Sequence, residues 1–225
     1  MKKIVKENLT FRDVLKFLLL VVYGYFTYLL LLITIQYIPL RFDVAFLRIK
    51  YEEIQLLHYK IAFFTHVYSS IFLMLMGWVQ FSKKMRQKYN RLHKGLGKLY
   101  VFVILFVSGP SGLVMSYHAN GGIVAQVAFV LLSILWLVFT CLSYYYIRKQ
   151  NFKKHREFAI RSFALTLSAV SLRLFKFIIV FLLQTPPMDT YRIVSWLGWT
   201  FNLIIAEVIL FYLLKNKNIN GIKTE

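Results

Sequence analysis

Six long apolar runs, separated by short links, dominate the chain. They lie near residues 15–38, 61–81, 99–118, 122–147, 158–183 and 193–214. A helix that crosses the hydrocarbon of a bilayer needs about 20 predominantly apolar residues, and each run is long enough. The runs and their links leave no room for a separate soluble domain. We therefore expect residues 1–225 to form a single integral membrane domain, an all-α polytopic bundle of about six transmembrane helices.

The basic residues are distributed unevenly between the links, and this predicts the orientation of the bundle. Most of the 28 Lys and Arg residues lie in the N-terminal segment, in the links after the second and fourth runs, and in the tail. Six crossings place these segments on one side, which the positive-inside rule identifies as the cytoplasm, so the chain is expected to be N-in and C-in. The same topology accounts for the net charge of +19. We therefore expect the lipid bilayer, and no nucleic acid, as its partner.

Four of the five histidines form two pairs on this topology. His66 lies near the outer end of the second helix and His118 closes the third helix on the same side, whereas His93 and His155 lie in the two basic inner links. Histidine is a common ligand of haem and of metals. The arrangement resembles that of transmembrane b-type cytochromes, where bis-histidine haems lie near the two faces of a helix bundle. The four histidines are therefore candidate ligands of haem b or of a transition metal.

The spacing of these histidines favours a second interpretation of the inner pair. The chain from His93 to His118 would extend about 38 Å as a helix, which exceeds the roughly 30 Å hydrocarbon core. His93 and His155 would then lie at the membrane interface, bonded to headgroups or to the backbone of the links. Ligation and a purely structural role both stay open for this pair.

Charged residues within the apolar runs mark a second group of candidates. Arg161 and Glu207 differ in depth by about 5 Å, so we expect an intramembrane ion pair between them. Arg173 lies about 18 Å further out than Arg161. It either caps the carbonyl of Phe106, which Pro110 leaves without a donor, or holds an anion such as a haem propionate or a substrate carboxylate.

Small residues and prolines mark the irregular points of the chain. Residues 108–112, Ser-Gly-Pro-Ser-Gly, are expected to break the third helix near mid-membrane, where small residues permit close packing or line a cavity. Residues 118–122 predict a tight turn, and residues 184–187 end the fifth helix. The link at 40–60 is the one longer connection, and we expect a short helix there on the outer membrane surface.

The polar and small residues also occur in a recurrent order. Along the chain they are His66; Gly77-Trp78-Val79-Gln80-Phe81; Arg91-Leu92-His93-Lys94 with Gly95, Gly97 and Tyr100; His118 before Gly121-Gly122; His155-Arg156; Arg161-Ser162-Phe163-Ala164-Leu165; Arg173; and Trp196, Trp199, Asn202-Leu203 and Ala206-Glu207. This pattern resembles a bacterial family of predicted membrane proteins, domain of unknown function 2306, over residues 60–210.

Two positions depart from the family pattern. Lys94 stands where the family has arginine after the histidine, so the charge is kept but a bidentate contact is lost. Trp78 stands where the family tends to have proline. The resemblance implies a multi-pass protein of the bacterial cytoplasmic (inner) membrane and singles out the same polar residues. It implies no reaction.

Two functions of different classes follow from these features. One is a redox or electron-transfer protein that binds haem b or a transition metal through His66 and His118, and through His93 and His155, and serves a membrane redox partner. The alternative is a small-molecule transporter or accessory membrane subunit with an anion site at Arg173. A helical membrane scaffold is the third option. The sequence contains no Walker loop, nucleophile elbow, cysteine-based zinc motif or carboxylate pair, which argues against hydrolases and nucleotide-driven pumps.

Overall fold

Helices account for almost all of the computed structural model, which describes the backbone of residues 11–222 and the side chains of 14–213 apart from Lys16. In chain order they are α1 (Phe11–Ile35), α2 (Leu57–Gln80), α3 (Lys83–Lys88), α4 (Asn90–Val103), α5 (Gly109–Tyr117), α6 (Ile123–Arg148), α7 (Phe152–Thr166), α8 (Ser168–Leu183) and α9 (Pro187–Ile222). A π-helical turn, Ile104–Ser108, joins α4 to α5. No strand occurs between residues 11 and 222.

The predicted polytopic architecture is confirmed. Five stretches are long and apolar enough to cross a membrane, and the bent pair α7–α8 makes a sixth. Six spans place residues 11 and 213 on the same side, and we call the opposite side, with the α1–α2 and α5–α6 links, the outer side. The third span, Asn90–Tyr117, begins well before the expected residue 99, because the basic inner segment continues as helix beyond the hydrocarbon.

The third and fifth spans are irregular in ways that the sequence predicted incorrectly. Pro110 does not break the third span, because it lies in the first turn of α5 and the backbone before it widens into the π-helical turn, where Gly109 N–H donates to Ile104 O. The sharp bend lies in the fifth span instead, where α7 and α8 meet at 42° around Leu167. Neither proline nor glycine marks that point.

The outer link packs inward and does not form an α-helix on the membrane surface. It consists of two 3-10 turns, Ala45–Ile49 and Glu53–Gln55. Leu47 and Ile54, one from each turn, are fully buried in a cluster that includes Phe63 of α2. Burial of this apolar surface holds the link over the outer ends of α1 and α2.

The middle of the bundle is filled by side chains. Leu73, Ile104, Leu165 and their neighbours form the central cluster, into which the hydroxyl of Tyr100 also points. That hydroxyl bonds to Thr166 Oγ1 at 2.7 Å. Such packing leaves the polar groups that could bind a ligand nearer the ends of the bundle.

The turn between α5 and α6 forms as the glycines predicted. Gly121 and Gly122 adopt φ angles of 86° and 71°, a region that glycine enters without steric cost. The helix end at 184–187 is also observed, since Gln184 caps α8 in the left-handed region and α9 starts at Pro187. Both short links bring neighbouring spans together at the outer side.

Candidate functional site

Arg173 lies on α8, in the outer half of the fifth span. Many protein atoms surround its guanidinium, yet the residue keeps an exposed surface, so part of the charged side chain is accessible from outside the protein. The guanidinium lies within electrostatic reach of the phenols of Tyr37, just beyond α1, and Tyr191 of α9. Two phenols, one from the segment after α1 and one from α9, therefore face the electrostatic field of this positive charge.

The contacts of Arg173 leave its charge uncompensated. Its Nη1 donates to Ala169 O on the same helix at 2.6 Å. No carboxylate lies within 4.0 Å of it among the side chains of residues 14–213 that the structure describes. Arginine stays protonated in proteins, and an unpaired charge at membrane depth costs several kcal/mol. The planar guanidinium is suited to bind carboxylate or phosphate oxygens in pairs.

The expected bond from Arg173 to the carbonyl of Phe106 is replaced by the bond to Ala169. In the third span, side chains donate instead to the carbonyl of Ser108, the last residue of the π-helical turn. Ser108 O accepts from Ser111 Oγ at 3.1 Å and from a histidine of α2. Arg173 is thereby left without a carbonyl partner in the third span.

His66 of α2 is the histidine that bonds to this carbonyl. Its Nδ1 lies 2.8 Å from Ser108 O, and because a carbonyl only accepts, Nδ1 carries the proton and the neutral ring leaves Nε2 as an acceptor. A Cβ on Gly112 would lie 2.9 Å from His66 Cε1, so the glycine makes room for the ring. His66 also lies within electrostatic reach of Arg173.

Arg161 and Glu207 meet in the inner half of the bundle. Arg161 Nε donates to Glu207 Oε1 at 2.6 Å and Nη2 donates to Oε2 at 2.8 Å. The two parallel bonds form the bidentate arrangement that arginine makes with carboxylates. The side chains are 20% and 54% exposed, so the pair lies at the edge of the bundle, between α7 and α9.

His118 contacts another histidine and not His66. Its Nε2 lies 3.0 Å from His58 Nε2 at the first turn of α2, and the structure records no contact between His66 and His118. Lys50 of the outer link, 2% exposed, donates from Nζ to His118 O and to Glu53 Oε1, both at 2.5 Å. The outer link is thereby fastened to the end of α5.

The ionisable groups of this outer region have shifted pKa values. Burial, followed by the charges of His58 and Lys50, lowers the pKa of His118. Burial alone would raise the pKa of Glu53, but the hydrogen bond and the charge of Lys50 outweigh it, so that pKa falls below its usual value. At neutral pH this favours a neutral His118 ring beside an ionised Glu53.

The inner histidines, His93 and His155, lie close enough for their charges to interact. His155 Nδ1 lies 2.9 Å from Ser143 O, which leaves its Nε2 unprotonated in the neutral ring. His93 Nδ1 accepts from the amide of Gln80 at 2.9 Å when that amide is oriented to satisfy both partners. Both histidines thus have backbone or amide partners near the inner ends of α4, α6 and α7.

Sequence reasoning passed over several residues of the outer region. His58 and Lys50 belong to a link of mixed charge, and Tyr37 and Tyr191 are two of 15 tyrosines. No motif or spacing relates them to one another, because their proximity arises from long-range packing of the outer link. The burial of Lys50 would have indicated that the outer link packs against the helices, but this burial can be seen only in the three-dimensional structure.

Comparison with known proteins gives a family and no closer relative. No curated protein and no solved structure matches the chain. The family model described as "Predicted membrane protein (DUF2306)" matches residues 63–210. This match includes Arg173, His66, His118 and the Arg161–Glu207 pair, but stops short of His58 and Lys50. With about two thirds of its length matched by that model, the chain belongs to the predicted membrane protein family DUF2306.

Proposed function

We propose that the protein binds a small anionic solute at Arg173, as a small-molecule transporter or as an accessory subunit of a membrane complex. The proposal includes the bacterial cytoplasmic membrane as its location, with the site in the half of the bundle away from the cytoplasm. The observation that carries it is the guanidinium of Arg173, which is surrounded by protein atoms, keeps an exposed surface and has only a backbone carbonyl as recorded partner.

The energetic argument is that such a charge is costly without a counter-ion. A structural arginine at membrane depth is expected to have a carboxylate partner, as Arg161 has in Glu207. An anion that enters the space beside Arg173 removes this cost and gains charge-assisted hydrogen bonds. The site thus favours ligands with a carboxylate or a phosphate group.

His66 gives the site a proton acceptor. Its Nδ1–H is held by Ser108 O, so Nε2 is available to a protonated ligand or to water. An imidazole near a guanidinium binds an anion together with a proton, because protonation of the ring becomes favourable once the anion offsets the charge of Arg173. The pair thus supports coupling of anion binding to proton uptake.

The test is ligand-induced stabilisation of the detergent-purified protein. Acetate, succinate, citrate and inorganic phosphate are added as sodium salts, with sodium chloride at matched ionic strength as the reference. A ligand present at a hundred times its Kd raises the free energy of unfolding by about 2.7 kcal/mol. For a chain of this size, that raises Tm by roughly 5–10 °C. We expect at least one of these anions to raise Tm.

Two variants test whether the anion binds at Arg173. Arg173→Leu should weaken binding by at least about 30-fold, as expected when one partner of a desolvated charge pair is removed. Arg192→Ala, which removes an exposed arginine of the same outer region, should bind like the wild type. Absence of stabilisation by every anion, or equal stabilisation of Arg173→Leu, would refute the proposal.

A haem- or metal-binding redox protein is the second candidate. The supporting observation is that His66 and His155 each direct Nδ1 to a backbone carbonyl, the arrangement that orients a ligating imidazole with Nε2 free. The residues do not fit a haem between His66 and His118, because His118 is in contact with His58. If haem is bound, His66 or His155 would be among the residues that hold it.

An absorption spectrum separates the two candidates. A reduced-minus-oxidised spectrum of the purified protein should contain a Soret band if haem b is bound, and elemental analysis detects a transition metal. His66→Ala and His155→Ala should then each remove the signal of the haem that they hold. A preparation without a Soret band or bound metal would refute the redox function and leave the anion proposal unaffected.

A further inference from the structure

The closest approach of two histidines in the described part of the chain lies on the outer side. His58, in the first turn of α2, and His118, at the end of α5, present their Nε2 atoms to each other at 3.0 Å. The ring centroids are 5.1 Å apart and the ring planes are inclined by 39°. Two nitrogen atoms of separate spans therefore face the same point in space.

This geometry suits a bent coordination and not a linear one. Two metal–imidazole bonds of about 2.0–2.1 Å at a tetrahedral angle separate the nitrogens by about 3.3 Å. The observed separation differs from that by only about 0.3 Å, a change within the reach of small side-chain rotations. Axial ligation across a haem iron would instead require about 4 Å between the nitrogens, so a haem does not fit here.

The surroundings of the two rings hold them in place. His118 has its backbone oxygen fixed by Lys50 Nζ at 2.5 Å, and its ring packs edge-on against Tyr59, with centroids 5.3 Å apart. Tyr59 is 1% exposed and belongs to the apolar cluster under the outer link. The His118 ring thus projects from a packed base towards His58, which is exposed and accessible to solutes.

The charges nearby permit a cation at this point. The positive charge of Lys50 is offset by Glu53, 2.5 Å away. Glu53 also lies within electrostatic reach of His118, and its side chain is 29% exposed. The negative charge of Glu53 therefore favours a cation between the two imidazoles by electrostatic attraction.

We propose that His58 and His118 form a two-histidine site for a divalent transition metal, Zn²⁺ or Cu²⁺, on the outer face, with water as the remaining ligands and Glu53 as a nearby negative charge. Imidazole is a preferred ligand of both ions, and Cu²⁺ binds more tightly than Zn²⁺ to a given set of nitrogen and oxygen ligands. The ion links the start of α2 to the end of α5 and thereby closes the outer end of the bundle. The site is independent of the anion site at Arg173.

The experiment is a titration of metal-depleted, tag-free protein in detergent with ZnCl₂ or CuCl₂ by isothermal titration calorimetry. We expect one ion per chain, tighter binding of Cu²⁺, and a metal-dependent rise in Tm. His58→Ala and His118→Ala should each lower the affinity at least tenfold, and Glu53→Gln by a smaller factor. Asp189→Asn, which removes the charge of an exposed carboxylate on the same outer side, serves as the matched control and should bind like the wild type.

A spectrum of the wild type keeps the test independent of variant folding. The electron paramagnetic resonance spectrum of the one-to-one Cu²⁺ complex should contain hyperfine splitting from two imidazole nitrogens. Splitting from fewer nitrogens, failure to bind one ion per chain, or undiminished affinity in folded His58→Ala would overturn the proposal. Arg173→Leu should lose the response to anions and still bind the metal like the wild type. Failure of one proposal therefore leaves the other testable.

Discussion

Arg161 and Arg173 lie in the same transmembrane span, on either side of the bend at Leu167, and have opposite surroundings. The inner arginine makes a bidentate pair with Glu207, whereas the outer one keeps an exposed surface and has a backbone carbonyl as its recorded partner. A compensated charge contributes to the stability of the bundle. An uncompensated charge at membrane depth lowers stability unless a counter-ion binds to it.

The largest loss of stability is expected for a substitution of Arg161, the inner of the two arginines. Arg161→Glu places two carboxylates where an ion pair stood, and we expect a cost of about 3 kcal/mol, between the values for exposed and buried pairs. For a chain of this size the Tm should fall by roughly 6–12 °C, measured by differential scanning fluorimetry in detergent. The double exchange Arg161→Glu with Glu207→Arg should recover most of the loss. A double variant as unstable as the single one would show that the pair itself contributes little.

Gly109→Ala is expected to have the next largest effect. An added Cβ would lie 2.4 Å from Leu137 Cδ2 and 2.5 Å from the backbone oxygen of Ile104, and the backbone oxygen cannot move without distorting the π-helical turn. Overpacking of this kind costs about 1–3 kcal/mol. Because the turn presents the carbonyl that orients His66, the same variant should also weaken anion binding.

Gly95→Ala is the control for this substitution. Gly95 lies in the same span and has no atom within 4 Å of an added Cβ, so alanine should leave the Tm unchanged or raise it slightly. Equal Tm values for the two alanine variants would contradict the tight packing at Gly109.

The sequence predicted the surroundings of Arg161 better than it predicted those of Arg173. Depth along an ideal helix depends only on residue number, and this was sufficient to bring Arg161 and Glu207 to the same level. The number of spans follows similarly from the length of the apolar runs. Both inferences use local geometry, which the sequence encodes directly.

The structure of the outer half of the bundle depends on long-range packing, which local helix geometry does not determine. Pro110 was expected to break the third span, but the π-helical turn absorbs it. The bend occurs at Leu167, where the chain has no residue that favours one. His118 was paired with His66 because both lie near the outer side. The actual neighbour is His58, which packing of the outer link and α2 brings to the end of α5.

Arg173→Leu tests whether the outer arginine differs from the inner one in its effect on stability. Replacing a charge that has no counter-ion with a shorter apolar side chain removes the cost of desolvating that charge and should raise the ligand-free stability by about 1 kcal/mol. The Tm should therefore rise by roughly 2–4 °C in buffer without polyvalent anions, measured beside the wild type. A fall in Tm like that of Arg161→Glu would mean that Arg173 is structural, and the contrast between the two arginines would disappear.

The smallest effect is expected for the exposed ion pair of the outer region. Arg192 Nη1 lies 3.1 Å from Asp189 Oδ1, and the side chains are 49% and 56% exposed, so water competes with each partner. Asp189→Asn should change the stability by no more than about 0.5 kcal/mol, and less at high salt. Arg192 Nε also donates to Gly121 O, so the arginine keeps a role in the α5–α6 turn without the carboxylate.

If Asp189→Asn lowered the Tm as much as Arg161→Glu, the number of ion pairs and not their burial would determine stability. The difference between the two arginines of the fifth span would then need another cause.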